Sequence, residues 1–284
     1  MKRFVIIALT LSLGLLAAQK NEGFFKKGAG NRLFYFPTKE GPHTPDEFGY
    51  KHEEVTFKSK DGTKLHGWFI QNHGDERKGT VVYSHGNAGA IGHHLSFITW
   101  ASSAGYQILM YDYRGFGKSE GSVERKGIIE DVNAAIQYAK SRKDVDSKKM
   151  FSFGHSLGGA KSITALGGEK GESVAGVISF AGFSSYQKIA RRMAGEIALN
   201  LVTDELSPRD YVVKISPTPL LIVHGDQDGV VPVEHGRELF EKAKEPKSLI
   251  EVKGGSHNGA LHLRDRETIK KILKWMNEIL KQKS

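Results

Sequence analysis

The sequence predicts an α/β fold in which helices flank a mostly parallel sheet of eight strands, with a short helical cap. Short apolar runs alternate with helical patterns along most of the chain. Several of these runs end in loops that carry serine, aspartate, histidine and glycine. At 284 residues the chain is long enough for one domain with a sizeable core.

Residues 1–18 are predicted to be a signal peptide or a membrane anchor. Lys2 and Arg3 precede an uncharged run from Phe4 to Ala18 that ends in small residues. The run is shorter than the roughly 20 apolar residues of a membrane-spanning helix, which favours a cleaved signal over an anchor. Either interpretation exports the rest of the chain, as a periplasmic or secreted protein or one held at the membrane. Residues 19–49 are predicted to be a linker and N-terminal extension.

Residues 112–119 follow the fourth predicted strand and end in Gly-Lys-Ser. A phosphate-binding loop of the form G-x-x-x-x-G-K-[ST] needs glycine where this chain has Asp112. Residues 120–122 do not predict an immediate helix either. We therefore expect a structural turn here and no nucleotide site.

Ser156 lies at the centre of a G-x-S-x-G motif, between a predicted strand at 149–153 and a predicted helix start at 159–166. A serine on a sharp strand-to-helix turn needs small neighbours, because bulky ones would collide with adjacent strands. The free amides and dipole of the helix start favour negative charge beside it. With 33 glycines in the chain the motif could arise by chance, but its setting favours a nucleophile.

A serine nucleophile needs a histidine base and a carboxylate that orients the histidine. Asp226 and Asp228 follow the seventh predicted strand, residues 219–225, and His257 follows the eighth, residues 248–252. Loops at the carboxyl ends of parallel strands are where α/β sheets bind ligands. His257 is chosen among 12 histidines because it follows the last strand in a glycine-rich loop. The residues alone leave both aspartates open.

The other histidines near these motifs are expected to have structural roles. His224 should end its strand as a packed or hydrogen-bonded residue, and His155 should shape the turn around Ser156. His93 and His94 should lie on a solvated face at a helix start, not in a metal site.

Two backbone amides are predicted to stabilise the oxyanion of an acyl transfer. One is the N–H of Leu157, directly after Ser156. The other is the N–H of Asn87, in the glycine-containing loop after the third predicted strand, residues 80–84. The alternative for this loop is an ordinary glycine turn.

Residues 183–214, between the sixth and seventh strands, are predicted to form a small helical cap. Its apolar residues at helical spacing either pack on the body or wall an acyl pocket; they are Tyr186, Ile189, Ala190, Met193, Ile197 and Leu201. The segment 266–282 predicts a C-terminal helix packed on the sheet.

Taken together, these motifs resemble the α/β-hydrolase superfamily over about residues 50–282. The segments that carry the resemblance are 85–87, 112–117, 154–159, 224–228, 231–232 and 255–257. The resemblance implies one hydrolase domain over residues 50–284, with an opening hairpin around 61–68.

The N-terminal hydrophobic segment and the tract at 33–37 are similar to a membrane-associated branch near the serine aminopeptidase-like and acyl-protein-thioesterase-like hydrolases. In that branch the acid is the aspartate four residues after the strand-ending histidine, which implies Asp228. Asp226 would then stabilise the turn by bonding nearby backbone.

The resemblance implies a serine hydrolase that cleaves carboxylic ester or thioester bonds through an acyl-enzyme. Ser156 would be the nucleophile, His257 the base and Asp228 the orienting acid, with no metal or organic cofactor. The expected partner is a small acyl ester or an acylated substrate. Two alternatives remain: a serine aminopeptidase on the same triad, and a non-catalytic binding protein. Carboxylates that could hold a peptide ammonium in the cap are Glu196, Asp204, Glu205 and Asp210.

The formal charge of +9, from 41 basic and 32 acidic residues, is spread along the chain. This pattern indicates a solvated surface with at most weak attraction to anionic membranes or acidic partners. No nucleic-acid module is recognisable, so nucleic acid is not an expected partner. The absence of cysteine excludes disulfides, lipid-modified cysteine and thiol chemistry.

Overall fold

The computed structural model describes residues 29–74, 76–168, 171–259 and 265–283. The predicted signal or anchor segment, residues 1–18, lies outside the described residues. Within the described ranges, no helix combines the length and the apolar character needed to cross a bilayer.

An eight-stranded sheet forms the centre of the fold. The strands are β1 His52–Lys58, β2 Lys64–Ile70, β3 Gly79–Ser84, β4 Tyr106–Tyr111, β5 Met150–His155, β6 Gly176–Phe180, β7 Leu220–Gly225 and β8 Lys247–Val252. Across the sheet they lie in the order β8-β7-β6-β5-β3-β4-β2-β1. β2 is antiparallel to both β1 and β4, and the other pairs are parallel. This sheet and its flanking helices confirm the predicted fold class.

The central strands are buried on both faces. Every residue of β3, β4, β5 and β7 is buried, as expected for parallel strands covered by helices on both sides. At one edge, β1 buries Val55 and Phe57 but exposes the residues on either side of each. The loops that follow the carboxyl ends of the central strands are therefore attached to a buried core.

The described residues form seven α-helices, joined in places by short 3₁₀ turns. The helices are α1 Trp100–Ser103, α2 Arg125–Ser141, α3 Leu157–Leu166, α4 Tyr186–Ala194, α5 Ala198–Leu201, α6 Val233–Lys242 and α7 Arg266–Lys283. One apolar cluster packs α2 and α3 on the sheet, with Ile128 and Ile163 buried in it. A second cluster on the other face includes Trp100 of α1 and Met276 of α7, so the C-terminal helix packs on the sheet as predicted.

The predicted cap contains the two short helices α4 and α5. Helix α4 ends where Gly195 takes a φ of 70°, a conformation that glycine adopts without strain. The apolar residues expected from the spacing do not all lie on one buried face. Tyr186 is buried, whereas Met193 and Ile197 are 43% and 46% exposed.

Candidate active site

Ser156 occupies the turn between β5 and α3. Its φ of 54° and ψ of −113° are strained for a residue with a side chain. Its N–H donates to the carbonyl oxygen of Phe180 at 2.8 Å. A Cβ on Gly154 would overlap Gly158, and one on Gly158 would overlap the carbonyl oxygen of Ser84. Close approach of the backbone therefore requires both glycines of the motif.

His257 lies between Ser156 and Asp228. Its Nε2 is 3.0 Å from Ser156 Oγ, and its Nδ1 is 2.7 Å from Asp228 Oδ2. With Nδ1–H donating to the carboxylate, Nε2 is left to accept the serine proton. We refer to these three residues as the predicted triad. Three loops that are distant in sequence thus bring them into contact in the order that proton abstraction needs.

The Asp228 carboxylate is held from several sides. Its Oδ1 accepts the N–H groups of Val230 and Val231 at 2.8 and 2.9 Å. Its Oδ2 faces His257 and lies 3.4 Å from His224 Nε2. Burial alone would raise the pKa of Asp228, but hydrogen bonds from His224 and His257 hold it well below its usual range. Asp228 is therefore a carboxylate at neutral pH.

Asp226 contacts backbone and not the predicted triad. Its Oδ1 accepts the N–H of Gly254 at 2.6 Å, and its own N–H donates to the Val252 carbonyl at 3.1 Å. These bonds join the loop after β7 to the loop after β8. Asp226 thus lies where the turn-stabilising interpretation expected it.

The amides predicted as oxyanion donors lie on adjacent segments. Gly158, in the first turn of α3, packs against the backbone of Ser84 and His85 at the end of β3. Leu157 immediately precedes it, and Asn87 is two residues after His85. No described residue accepts a hydrogen bond from the N–H of Asn87 or of Leu157. Within the described part of the chain, nothing therefore competes with a ligand for these two N–H groups.

The prediction that His93 and His94 share a solvated face is wrong. The helix start expected there is a 3₁₀ turn, Ile91–His93, and the chain leaves it with His93 exposed and His94 turned inward. His94 Nε2 donates to the Ala88 carbonyl at 2.8 Å, and its ring lies 5.0 Å from the His85 ring. Burial lowers the pKa of His94 to about 4. His94 is therefore neutral. It holds the 85–89 loop through the Ala88 carbonyl, a role that the sequence did not indicate.

His155 is buried beside the predicted triad. Its ring centroid lies 5.4 Å from that of His257 and 5.2 Å from that of Phe97. Burial holds the pKa of His155 well below its usual range. A neutral packed ring fits the role in shaping the turn around Ser156. In the described part of the chain, no group of three or more candidate ligands could hold a metal ion.

Comparison with known proteins identifies the family. The family model described as "Serine aminopeptidase, S33" matches residues 75–212. The uncharacterized protein YfhR of Escherichia coli K12 is 36% identical over 228 residues, 79% of each chain. The α/β hydrolase domain-containing protein WAV2 of Arabidopsis thaliana is 30% identical over 249 residues, 80% of each chain.

Solved structures share the fold. The esterase Pf2001 of Pyrococcus furiosus superposes with a TM-score of 0.71 and 22% identity, over 86% of this chain and 99% of that one. The sheet order and the turn at Ser156 define an α/β hydrolase. The chain belongs to the α/β-hydrolase superfamily.

Proposed function

We propose that this hydrolase cleaves carboxylic ester or thioester bonds through a serine–histidine–aspartate triad. The observation that carries the proposal is the hydrogen-bonded chain from Ser156 through His257 to Asp228, with distances of 3.0 and 2.7 Å. The strained turn at Ser156 supports it, as do the amides of Asn87 and Leu157, which have no acceptor among the described residues. Each of these features serves an acyl transfer at Ser156 Oγ.

In the proposed reaction, Ser156 Oγ attacks the acyl carbon while His257 Nε2 takes the hydroxyl proton. The bond from the acyl carbon to the leaving oxygen or sulfur breaks as His257 returns that proton to the leaving group. Water then attacks the acyl-enzyme with His257 again as base, which releases the acid and restores the serine. The Asn87 and Leu157 amides would hold the oxyanion, each worth about 2.7–4 kcal/mol.

An aminopeptidase is the second candidate, because the matching family model carries that description. This activity needs a carboxylate free to bind the substrate ammonium. Asp204 is occupied: its Oδ1 accepts from Ser185 Oγ and Ser207 Oγ, both at 2.6 Å, and from the Gln187 N–H at 3.1 Å. Its Oδ2 pairs with Arg209. Asp204 therefore organises the cap and has little capacity left for a ligand.

Two of the other cap carboxylates also have protein partners. Glu196 pairs with Arg191, and Asp210 lies 3.9 Å from Arg209. Glu205 lines a cavity of about 320 Å³ together with Arg32, so a positive charge lines the same cavity. This arrangement favours an acyl ester or thioester over a peptide with a free amino terminus.

We further propose export, or anchoring at a membrane, through residues 1–18. The uncharged run that follows Lys2 and Arg3 supports this location. The substrate would then be a small acyl ester or an acylated molecule met outside the cytoplasm, with no nucleic acid involved. Fractionation of cells that express the full chain tests this proposal, and recovery in the cytosol alone would contradict it.

Activity is tested by comparing the full chain with its Ser156→Ala variant on p-nitrophenyl esters from acetyl to palmitoyl, on acyl thioesters and on aminoacyl p-nitroanilides. We expect ester or thioester hydrolysis by the wild type alone, and fluorophosphonate labelling that requires Ser156. A preference for aminoacyl anilides would select the peptidase. A folded wild type that neither hydrolyses nor labels would indicate a binding protein.

A further inference from the structure

The segment of residues 34–38, which we name the N-terminal strap, pairs with the predicted oxyanion loop. Residues Phe36 and Pro37 form a parallel two-stranded ladder with Ala88 and Gly89, outside the main sheet. The strap ends at residue 38, whereas β1 begins at His52, and the strap adds no strand to the main sheet. Its backbone therefore serves the loop and not the sheet.

Asn87 is the residue that the strap holds most directly. The Phe36 N–H donates to the Asn87 carbonyl at 2.8 Å, and Asn87 Nδ2 donates to the Phe34 carbonyl at 3.2 Å. Among the described residues, the Asn87 carbonyl and side chain have no other hydrogen-bond partner. The peptide on one side of Asn87 and its side chain are thus both fixed by the strap.

The neighbouring peptides of the loop are fixed from the body of the protein. His85 Nδ1 donates to the Gly86 carbonyl at 2.7 Å, and His94 Nε2 donates to the Ala88 carbonyl at 2.8 Å. The Asn87 N–H shares one rigid plane with the Gly86 carbonyl, which His85 holds. On the other side of the Asn87 Cα, the strap fixes the Asn87 carbonyl and side chain. The Asn87 N–H therefore keeps a single direction only while both sets of bonds hold.

The strap is itself firmly seated. Phe34 is 9% exposed, and its ring meets Tyr186 of the cap edge-on with the centroids 5.2 Å apart. Tyr35 is 7% exposed, whereas Phe36, whose N–H makes the bond to Asn87, exposes 40% of its side chain. The buried side chains of Phe34 and Tyr35 therefore anchor the strap, whereas Phe36 bonds the loop through its backbone N–H.

We propose that the strap is a positioning element of the oxyanion hole: the Phe36 N–H and the Phe34 carbonyl hold the carbonyl and side chain of Asn87, and so keep its N–H in place before substrate arrives. The proposal rests on the proposed function of the predicted triad. An oxyanion donor is effective because it needs no reorganisation during the reaction. Without the strap bonds, the Asn87 N–H would have to be reoriented in each turnover, although the sheet and the predicted triad remain intact.

The test compares Phe36→Pro with Phe36→Ala in the full chain. Proline removes the N–H that binds the Asn87 carbonyl, whereas alanine keeps it and removes only the half-exposed ring. For Phe36→Pro we expect kcat to fall roughly 10- to 100-fold, less than the 10²–10³ for complete loss of a donor. KM should change little, and affinity for an acyl trifluoromethyl ketone should fall by the same factor as kcat/KM. Phe36→Ala should retain kcat within about twofold.

Two further measurements keep the proposal falsifiable. Asn87→Ala removes only the side-chain bond to Phe34, so it should lower kcat by a smaller factor and serves if Phe36→Pro does not fold. Hydrogen exchange over residues 85–89 should quicken in Phe36→Pro and not in Phe36→Ala. Wild-type kcat and ketone affinity in a folded Phe36→Pro protein would overturn the positioning role.

Failure of the proposed function gives a different pattern. In that case the wild type neither hydrolyses acyl substrates nor takes up fluorophosphonate, and hydrogen exchange alone decides on the strap. Unchanged exchange over 85–89 in Phe36→Pro would overturn the proposal, and faster exchange would support the holding of Asn87 independently of the reaction.

Discussion

The predicted triad has a counterpart of similar composition elsewhere in the molecule, with glutamate in place of aspartate. Ser184, His235 and Glu238 also lie together, where the start of the cap meets α6. Here Ser184 Oγ donates to the Glu238 carboxylate, and His235 Nδ1 accepts the backbone N–H of Ser184 at 3.1 Å. The serine, not the imidazole, stands in the middle of this second cluster.

The difference shows why residue types alone do not define a catalytic site. In the predicted triad the imidazole separates serine from acid, so the hydroxyl proton has a base to receive it. In the second cluster the serine is fully buried and its hydroxyl already bonds a carboxylate. Lys188 pairs with that carboxylate at 2.7 Å. The second cluster therefore joins the cap to α6 and offers no access to substrate.

The strongest test of this contrast replaces each serine in turn. Ser156→Ala should lower kcat by about 10⁴- to 10⁶-fold, because the nucleophile is lost while binding remains. Ser184→Ala should leave kcat within a few-fold and lower the free energy of unfolding by about 1–3 kcal/mol, because it leaves buried partners unpaired. Ester hydrolysis and denaturant unfolding measure the two effects. A large loss of kcat in folded Ser184→Ala would erase the distinction.

Replacing the acid gives the next largest effect. Asp228→Asn should lower kcat by roughly 10⁴-fold, because an amide no longer holds His257 in the tautomer that accepts the serine proton. Asp226→Asn is the matched control, since asparagine keeps an oxygen for the Gly254 N–H. Steady-state kinetics on one ester compares them. Equal losses in both variants would contradict the assignment of Asp228.

The triad was predictable because each of its members follows a strand in a short, local motif. Ser156 is marked by glycines that the backbone requires, and His257 by its place after the last strand. The choice of Asp228 over Asp226 needed the family resemblance, because both follow the same strand and only three-dimensional contacts separate them.

Other parts of the site were beyond a sequence-based prediction. His94 turns inward after a three-residue 3₁₀ turn, which is too short to produce a periodic pattern. The bond between Phe36 and Asn87 joins residues far apart in sequence, so nothing local indicates it. In the cap, Met193 is exposed although it lies inside α4, so helical spacing alone does not show which of the apolar residues are buried.

A smaller effect separates the two clusters by the pH dependence of stability. Burial lowers the pKa of His235 to about 4 from its ordinary 6.5. Between these values the unfolded chain binds a proton that the folded chain does not, so stability falls as the pH falls from 6.5 to 4. His235→Asn, which keeps an acceptor for the Ser184 N–H, should reduce this slope by up to about 1.4 kcal/mol per pH unit.

Chemical unfolding at several pH values measures that slope, with kcat at neutral pH as the control. His94 is also buried with a pKa lowered to about 4, so it still contributes to the slope in the variant. The slope should therefore become smaller and not vanish. An unchanged slope in His235→Asn would show that this ring accepts a proton in the folded state, and the second cluster would then resemble the predicted triad more closely than its geometry indicates.

The smallest effect concerns the ion pair between Lys188 and Glu238. The lysine side chain is 50% exposed, so the coupling between Lys188→Gln and Glu238→Gln in a double-mutant cycle should be at most about 1 kcal/mol of unfolding free energy. It should weaken with salt. Coupling well above that, or insensitive to salt, would mean that the pair behaves as buried. The carboxylate would then be held mainly by charge and not by the Ser184 hydroxyl, which would remove the reason for placing the serine at the centre of the second cluster.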